Sequence, residues 1–395
     1  MKVLIISHMY PSNFNNMAGI FVYEQARALV RNGCEVKVVS PVPWAPFPLK
    51  NMSAKWKGYS NIPYKDKIGS IDVYYPRYLE FPRGILFNRS GYFMGKCITS
   101  TVKQIYKKFK FDVIHSNVAL PDGYSAIIVN RNLKLPHVVT IHGQDFQNTI
   151  YRNKKCKQAV FKVLNRVDRI ITVSTKLGNI VAQENFYKKV RVIHNGIDEK
   201  IIKCNSEDNL NEEKKDKIKI LSVSNLKKTK GIQINLEAIS KLKDKYKNIQ
   251  YDIIGSGEFE SALKNLVKKL NLGKIVNFLG SMEHSKVIEN MSQYDIFSLP
   301  SYNEGFGVAY IEAMSQGLPV IGVKGEGIED AIEHGYNGFL VKRKDVDSLV
   351  SVLSYLIENE KKRMEIGINA IDTVKRYFTW DKNAKEVIKL YNEII

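Results

Sequence analysis

Short apolar runs alternate with amphipathic stretches along nearly the whole chain, and the alternation stops once and starts again. This pattern belongs to parallel α/β sheets, whose strands are buried on both faces and joined by crossover helices. The first round predicts strands at Val3–Ser7, Val36–Ser40, Ile71–Tyr75, Val113–His115, Val138–His142, Ile170–Val173 and Val190–His194. It also predicts a helix over Phe21–Arg31, closed by Gly33. A polar run follows, dense in Asn, Glu, Asp and Lys, and reads as a linker over 199–217. The second round predicts strands at Ile218–Val223, Tyr251–Ile254, Val276–Leu279, Ile296–Leu299 and Pro319–Val323. Two doubly wound units are therefore expected, 1–198 and 218–378, with a helical tail over 379–395 whose Val387, Ile388, Leu390 and Tyr391 need burial. Ligands of such sheets sit beyond the carboxyl ends of the strands, so two units facing each other would form a cleft. The segment from Pro41 to Lys110 mixes aromatics with Lys and Arg at poor periodicity, and is expected to be the least regular part of the first unit.

A chain of 395 residues with 44% apolar and 25% charged residues is long enough for two cores. Its four cysteines, Cys34, Cys97, Cys156 and Cys204, lie far apart, which excludes a disulfide framework and a thiolate zinc site. No apolar run reaches the length of a membrane span, and the first residues are too short a run for a signal peptide; a cytoplasmic protein is the expectation. The net charge of +20 is lopsided. Residues 1–200 hold 31 Lys+Arg against 12 Asp+Glu, while the remainder is nearly balanced. An anionic partner is expected for the first half only, and a membrane surface suits a peripheral protein whose Trp44–Phe93 stretch is aromatic as well as basic. No nucleic-acid motif accompanies the charge.

The segment Pro300-Ser301-Tyr302-Asn303-Glu304-Gly305-Phe306-Gly307-Val308 directly follows a predicted strand and opens a predicted helix that runs to Gln316. Gly305 and Gly307 allow close backbone approach, and the amides of Phe306, Gly307 and Val308 at the helix start suit a phosphate. Glu304 and Glu312 could each grip paired hydroxyls. Glu312 lies in an apolar helical stretch, where a lone acid is costly without a partner.

Glu304 and Glu312, separated by seven residues with Gly-Phe-Gly between, resemble the signature of glycosyltransferase family 4, whose members have the GT-B fold of two facing Rossmann-like domains. Other segments resemble the same family in order: His142-Gly143-Gln144-Asp145, Asn195-Gly196-Ile197-Asp198, Val223-Ser224-Asn225-Leu226 with Lys230-Gly231, and Gly317-Leu318-Pro319-Val320-Ile321. The resemblance implies a retaining enzyme that moves a hexose or N-acetylhexosamine from a UDP- or GDP-type nucleotide sugar to a glycan or lipid-linked acceptor. It implies that Glu304 holds donor-sugar hydroxyls, that Phe306, Gly307 and Val308 contact sugar and phosphate, and that Glu312 binds the ribose. Lys230 would neutralise the diphosphate, His142 would reach the sugar or its phosphate, and Gly19 would let the backbone close on the diphosphate. The family commonly has arginine where this chain has Asn225, which brings no charge to the donor site. His115, Asp122 and Asp145 are candidates for the acceptor side, Asp145 in positioning and not as a base. No cofactor or metal is expected, since the His and Cys residues have no metal-ligand spacing. The resemblance also implies that the tail 379–395 returns to the first domain.

Two rivals can be weighed on residues. A nicotinamide oxidoreductase would need G-x-G-x-x-G, but Ser7–Gly19 lacks it and Gly255-Ser256-Gly257 is followed by Glu260 where a small residue is required. A nucleotide-sugar epimerase of GT-B architecture is the alternative; it would need an acid–base pair at the sugar and would isomerise a nucleotide sugar supplied alone.

Overall fold

The computed structural model describes residues 1–81, 84–203 and 217–395; the linker expected over 199–217, and Cys204, lie mostly or wholly outside these. The chain divides into two compact units, Met1–Asn195 with Trp380–Ile395, and Gly196–Thr379.

Unit 1 holds β1 (Lys2–Ile6), β2 (Glu35–Val39), β3 (Val42–Pro43), β4 (Lys65–Ile68), β5 (Ile71–Tyr74), β6 (Arg77–Tyr78), β7 (Val113–Asn117), β8 (His137–Ile141), β9 (Arg169–Thr172) and β10 (Val190–Val192). Eight of them form one sheet in the order β10-β9-β8-β7-β1-β2-β5-β4, parallel except for β4 against β5, and β3 pairs with β6 separately. The alternation along β1 shows why both faces are covered. Val3 and Ile5 pack in one layer with Val22, Ala26 and Leu29 of the helix Ile20–Arg31 and with Trp380, Val387 and Tyr391. Leu4 and Ile6 pack in the opposite layer with Met94, Ile98 and Val102. A strand buried on both faces must be apolar throughout, and β1 is, after Lys2.

The stretch Pro41–Lys110 departs from the expectation of irregular structure. It contains the helix Ser90–Phe109, whose Met94, Ile98, Val102, Ile105 and Phe109 are buried. Their spacing of four, four, three and four is helical; each such residue contributes roughly 1.5–3 kcal/mol when fully buried. Gly91 and Gly95, which look like breakers, are instead contact points with the helix Tyr124–Asn130: a Cβ on Gly95 would lie 2.8 Å from Ile128 Cβ.

The helix Trp380–Asn392 belongs to unit 1. Its Asn383 accepts from Gln25 Nε2 at 2.9 Å and donates to the His194 carbonyl at 2.7 Å.

Unit 2 holds β11 (Ile218–Val223), β12 (Ile249–Ile254), β13 (Val276–Gly280), β14 (Ile296–Ser298), β15 (Val320–Val323) and β16 (Gly338–Val341), all parallel, in the order β13-β12-β11-β14-β15-β16. In each unit the strand order reverses once along the chain, between β1 and β7 in unit 1 and between β11 and β14 in unit 2. The crevice at such a reversal is where open α/β sheets take ligands.

Candidate functional site

In unit 2 the loops after β11 and β14 meet over that reversal. Lys230 closes a short turn, Lys228–Lys230, and its Nζ lies 2.7 Å from Glu304 Oε2. Ser301 Oγ donates to the same carboxylate oxygen at 2.8 Å, and the Tyr302 N–H donates to the Thr229 carbonyl at 2.8 Å. The loops touch so closely that only glycine fits at 231: its φ is +74°, and a Cβ would lie 2.1 Å from the Pro300 oxygen. A second carboxylate, Glu326, accepts the Glu304 N–H at 2.8 Å. Lys230 and Glu304 are both mostly buried, so their attraction is less screened than a surface pair's.

The helix after this loop is Val308–Ser315, entered through Gly307 at φ +96°. Its first amides precede the first intrahelical bond and give the site its partial positive charge. Phe306 faces inward, its ring 5.8 Å from that of Phe378. Glu312 is 9% exposed, and His284 Nε2 lies 2.7 Å from its Oε1. That contact supplies the partner that an acid in an apolar helix requires. Asn225 stands exposed just beyond β11.

In unit 1 the expected residues gather at the carboxyl ends of β1, β7 and β8. His142 follows β8; its Nε2–H donates to Asn117 Oδ1 at 2.9 Å, and its ring lies 4.5 Å from that of Phe21. Burial, with His115 nearby, holds His142 well below the ordinary histidine value, so its ring is neutral. Gly19 caps the helix Ile20–Arg31 at φ +60°, where a Cβ would lie 2.2 Å from the Met9 oxygen. Asp145 is buried and accepts from the amides of Ala119 at 3.0 Å and Leu120 at 3.3 Å; burial pushes its pKa up to about 7. An open hollow of about 410 Å³ is lined by Phe87, Gln144, Gln147 and Arg152.

The acceptor role expected for His115 does not fit its surroundings. It is fully buried, with Nδ1 2.6 Å from Tyr391 Oη and Nε2 2.7 Å from Thr140 Oγ1. It shares a face of β7 with Val113, which packs in the layer containing Tyr391, so strand alternation turns it inward. Asp122 is also fully buried and accepts from the His8 amide at 3.0 Å and meets His8 Nδ1 at 2.9 Å. It therefore reaches a ligand only through His8.

Sequence reasoning passed over His8, Asn117, His284, Ser301 and Glu326. His8 carried a signal, since it stands just past the first strand; His284 carried none, because only folding brings it to Glu312. Among the described residues no group of three His, Cys, Asp or Glu side chains is placed to hold a metal ion, and no helix is long and apolar enough to cross a membrane.

Two family models share the chain between them. Residues 18–201 match the family model described as Glycosyltransferase Family 4, and residues 205–373 match the one described as Glycosyl transferases group 1. The chain is 26% identical to a Bacillus subtilis protein named as a teichuronic acid biosynthesis glycosyltransferase, TuaC, covering 100% of this chain and 99% of that protein. It is 28% identical to the amylovoran biosynthesis glycosyltransferase AmsK of Erwinia amylovora, covering 65% of each. Among solved structures it resembles sucrose-phosphate synthase from Thermosynechococcus elongatus, with a TM-score of 0.78 at 20% identity over 100% of this chain and 98% of that one. It also resembles Anabaena HepE in complex with UDP-glucose, with a TM-score of 0.72 at 20% identity over 100% of both chains. These likenesses establish the fold, and none of the relatives favours the epimerase alternative. With two family models that between them take in most of its length, the chain belongs to glycosyltransferase family 4 and has the GT-B fold.

Proposed function

We propose that the chain is a retaining glycosyltransferase moving a hexose or N-acetylhexosamine from a UDP- or GDP-type nucleotide sugar to a glycan or lipid-linked acceptor, in cell-surface polysaccharide or glycolipid synthesis. The observation that carries this reading is the Lys230–Glu304 pair, set over the strand reversal of unit 2 beside the start of the helix Val308–Ser315. The names of TuaC, AmsK and the UDP-glucose complex of HepE support the choice of pathway and donor.

In this reading the bond between the anomeric carbon and the diphosphate oxygen breaks, and the leaving group gathers negative charge. Lys230 and the amides of Phe306, Gly307 and Val308 stabilise that charge. Glu304 turns to the sugar hydroxyls, Glu312 to the ribose, and Gly19 lets a backbone loop approach the diphosphate. Asn225 adds hydrogen bonding without charge. Neutral His142 offers a hydrogen bond to the sugar and no charge to the phosphate. The acceptor oxygen attacks on the face that the diphosphate leaves, and a diphosphate oxygen takes its proton, so no side-chain base or bound metal is called on. The test is proton NMR of the early product from a nucleotide-sugar panel: retention of the donor's anomeric configuration is expected, and inversion would overturn the mechanism. Isomerisation of nucleotide sugar supplied alone would restore the epimerase.

The basic surplus of residues 1–200 and the exposed Trp44, Phe47, Met52, Ile85 and Tyr151 support a peripheral position of unit 1 at an anionic membrane, on its cytoplasmic face. Sedimentation with anionic vesicles should carry the protein down at low salt and release it at high salt. Equal indifference to anionic and neutral vesicles would defeat this part.

A further inference from the structure

His8 stands just beyond β1 and Asp122 just beyond β7, so the two together span the strand reversal of unit 1. Asp122 is fully buried, and His8 gives it both a backbone N–H, at 3.0 Å, and Nδ1, at 2.9 Å from one oxygen and 3.1 Å from the other. With the Nδ1 proton committed to that carboxylate, the neutral ring carries its lone pair on Nε2. The His8 side chain is 30% exposed, and among the described residues its Nε2 has no hydrogen-bond partner. The arrangement costs unit 1 a fully buried carboxylate, yet it leaves one nitrogen unengaged at the ligand end of the sheet.

We infer that His8 is an acceptor-binding residue, its Nε2 accepting a hydrogen bond from an acceptor hydroxyl beside the one that receives the sugar, with Asp122 as the positioning residue that fixes the ring. The inference rests on the glycosyltransferase reading above. Unit 2 already supplies the groups suited to a diphosphate and a sugar; the nucleophilic O–H gives its proton to the diphosphate, and a sugar acceptor brings further O–H groups beside it, which a bare imidazole nitrogen recognises. The groups facing His8 are carboxyls: Asp122, Glu80 and Asp145. Burial works to lower its pKa, but Asp122, with the other two, outweighs burial and holds it above the ordinary 6.5. Protonated His8 has a hydrogen on Nε2 and cannot accept, so transfer falls as pH drops through that raised value.

The experiment measures transfer from UDP-glucose, UDP-N-acetylglucosamine and GDP-mannose to a panel of octyl glycosides, beside hydrolysis of the same donors, from pH 5 to 9. His8→Ala should raise the acceptor KM or cut transfer about tenfold, the worth of one neutral hydrogen bond, while donor KM and hydrolysis hold. The acid limb of the transfer profile should vanish in this variant. Asp122→Asn should move the limb to lower pH, and the exposed Glu80→Gln should move it the same way by less, without disturbing the core. An acid limb unchanged in His8→Ala, hydrolysis falling in step with transfer, or transfer rising as His8 protonates would each overturn the inference. A wild-type chain that binds none of the nucleotide sugars would overturn the functional reading itself, a result told apart by its presence before any substitution.

Discussion

The two units place a basic side chain and a carboxylate at the same topological point, yet the pairs are built differently. In unit 2 the pair is Lys230 and Glu304, both mostly but not wholly buried. In unit 1 it is His8 and Asp122, and there the carboxylate is fully buried while the ring is partly exposed. Lysine keeps its charge through the working pH range, and histidine does not. One unit is thus suited to a ligand that is always anionic, the other to a ligand that carries a proton. A shared sheet topology fixes where a ligand goes, and the pair across the reversal decides what kind of ligand it is.

The sharpest way to break this comparison is to remove the permanent charge. Lys230→Ala and Glu304→Ala should each lower kcat by a factor on the order of 100–1000, corresponding to roughly 3–4 kcal/mol of lost electrostatic stabilisation. Unchanged turnover in a folded variant would take that residue out of the site.

Glycine substitutions test whether both crevices depend on loop contact equally. Gly231→Ala and Gly19→Ala would drive a Cβ to 2.1 Å and 2.2 Å from a backbone oxygen, at positive φ in both cases. Each should cost about 2–4 kcal/mol, from overpacking and left-handed strain together. Gly33→Ala, at φ +88° with no atom near the added Cβ, should cost only about 1 kcal/mol. Urea denaturation of the full chain, with hydrogen exchange to assign the loss to a unit, distinguishes them.

Acid should separate the units more gently. Burial lowers His115 and His137 to about 3, and His142 is lowered too; all three lie in unit 1. Their folded values lie below the unfolded 6.5, so the stability tied to the neutral rings is complete above 6.5 and is lost as pH falls toward 3. Asp145, raised to about 7 by burial, works the other way across roughly pH 4 to 7. Asp122 and His8, also raised, act with Asp145, so hydrogen exchange should show unit 1 losing protection before unit 2 only below about pH 4, where the three histidines are still being lost and these groups no longer oppose them. Simultaneous loss would sink this expectation.

The smallest effect belongs to His284. Its side chain is 43% exposed, so its hold on Glu312 is screened. His284→Ala should change donor KM only about twofold to threefold, corresponding to less than 1 kcal/mol. A tenfold change would make His284 a ligand contact in its own right.

Most of the sheet was legible in the sequence, because strands buried on both faces are dominated by apolar residues, as in β1 after Lys2 and in β15. Besides the two-residue strands β3 and β6, the strands that escaped are β4 and β16, and they fail for physical reasons. β4 is a polar edge strand, Lys-Asp-Lys-Ile, and β16 is a four-residue run opened by glycine. Of the site, Glu304 and Lys230 were legible through the motifs around them. Their contact with each other was not, since 74 residues separate them and only the β11–β14 pairing brings them together. His115 shows the opposite failure: a strand end resembles a ligand position in sequence, but the side chain's parity sends it into the core.

The placement of the helix Trp380–Asn392 in unit 1 has a consequence for synthesis. Unit 2 is one continuous stretch, whereas unit 1 is encoded on either side of it. A ribosome therefore delivers everything needed for the later unit before the earlier one can be finished. Until Val387, Leu390 and Tyr391 emerge, the layer they share with Val3 and Ile5 stays uncovered, and His115 lacks its tyrosine. An abortive product that stops short of residue 380 displays a greasy, half-satisfied surface, the kind of feature that chaperones and proteases recognise. That helix thus closes unit 1 only after the whole of unit 2 has been made.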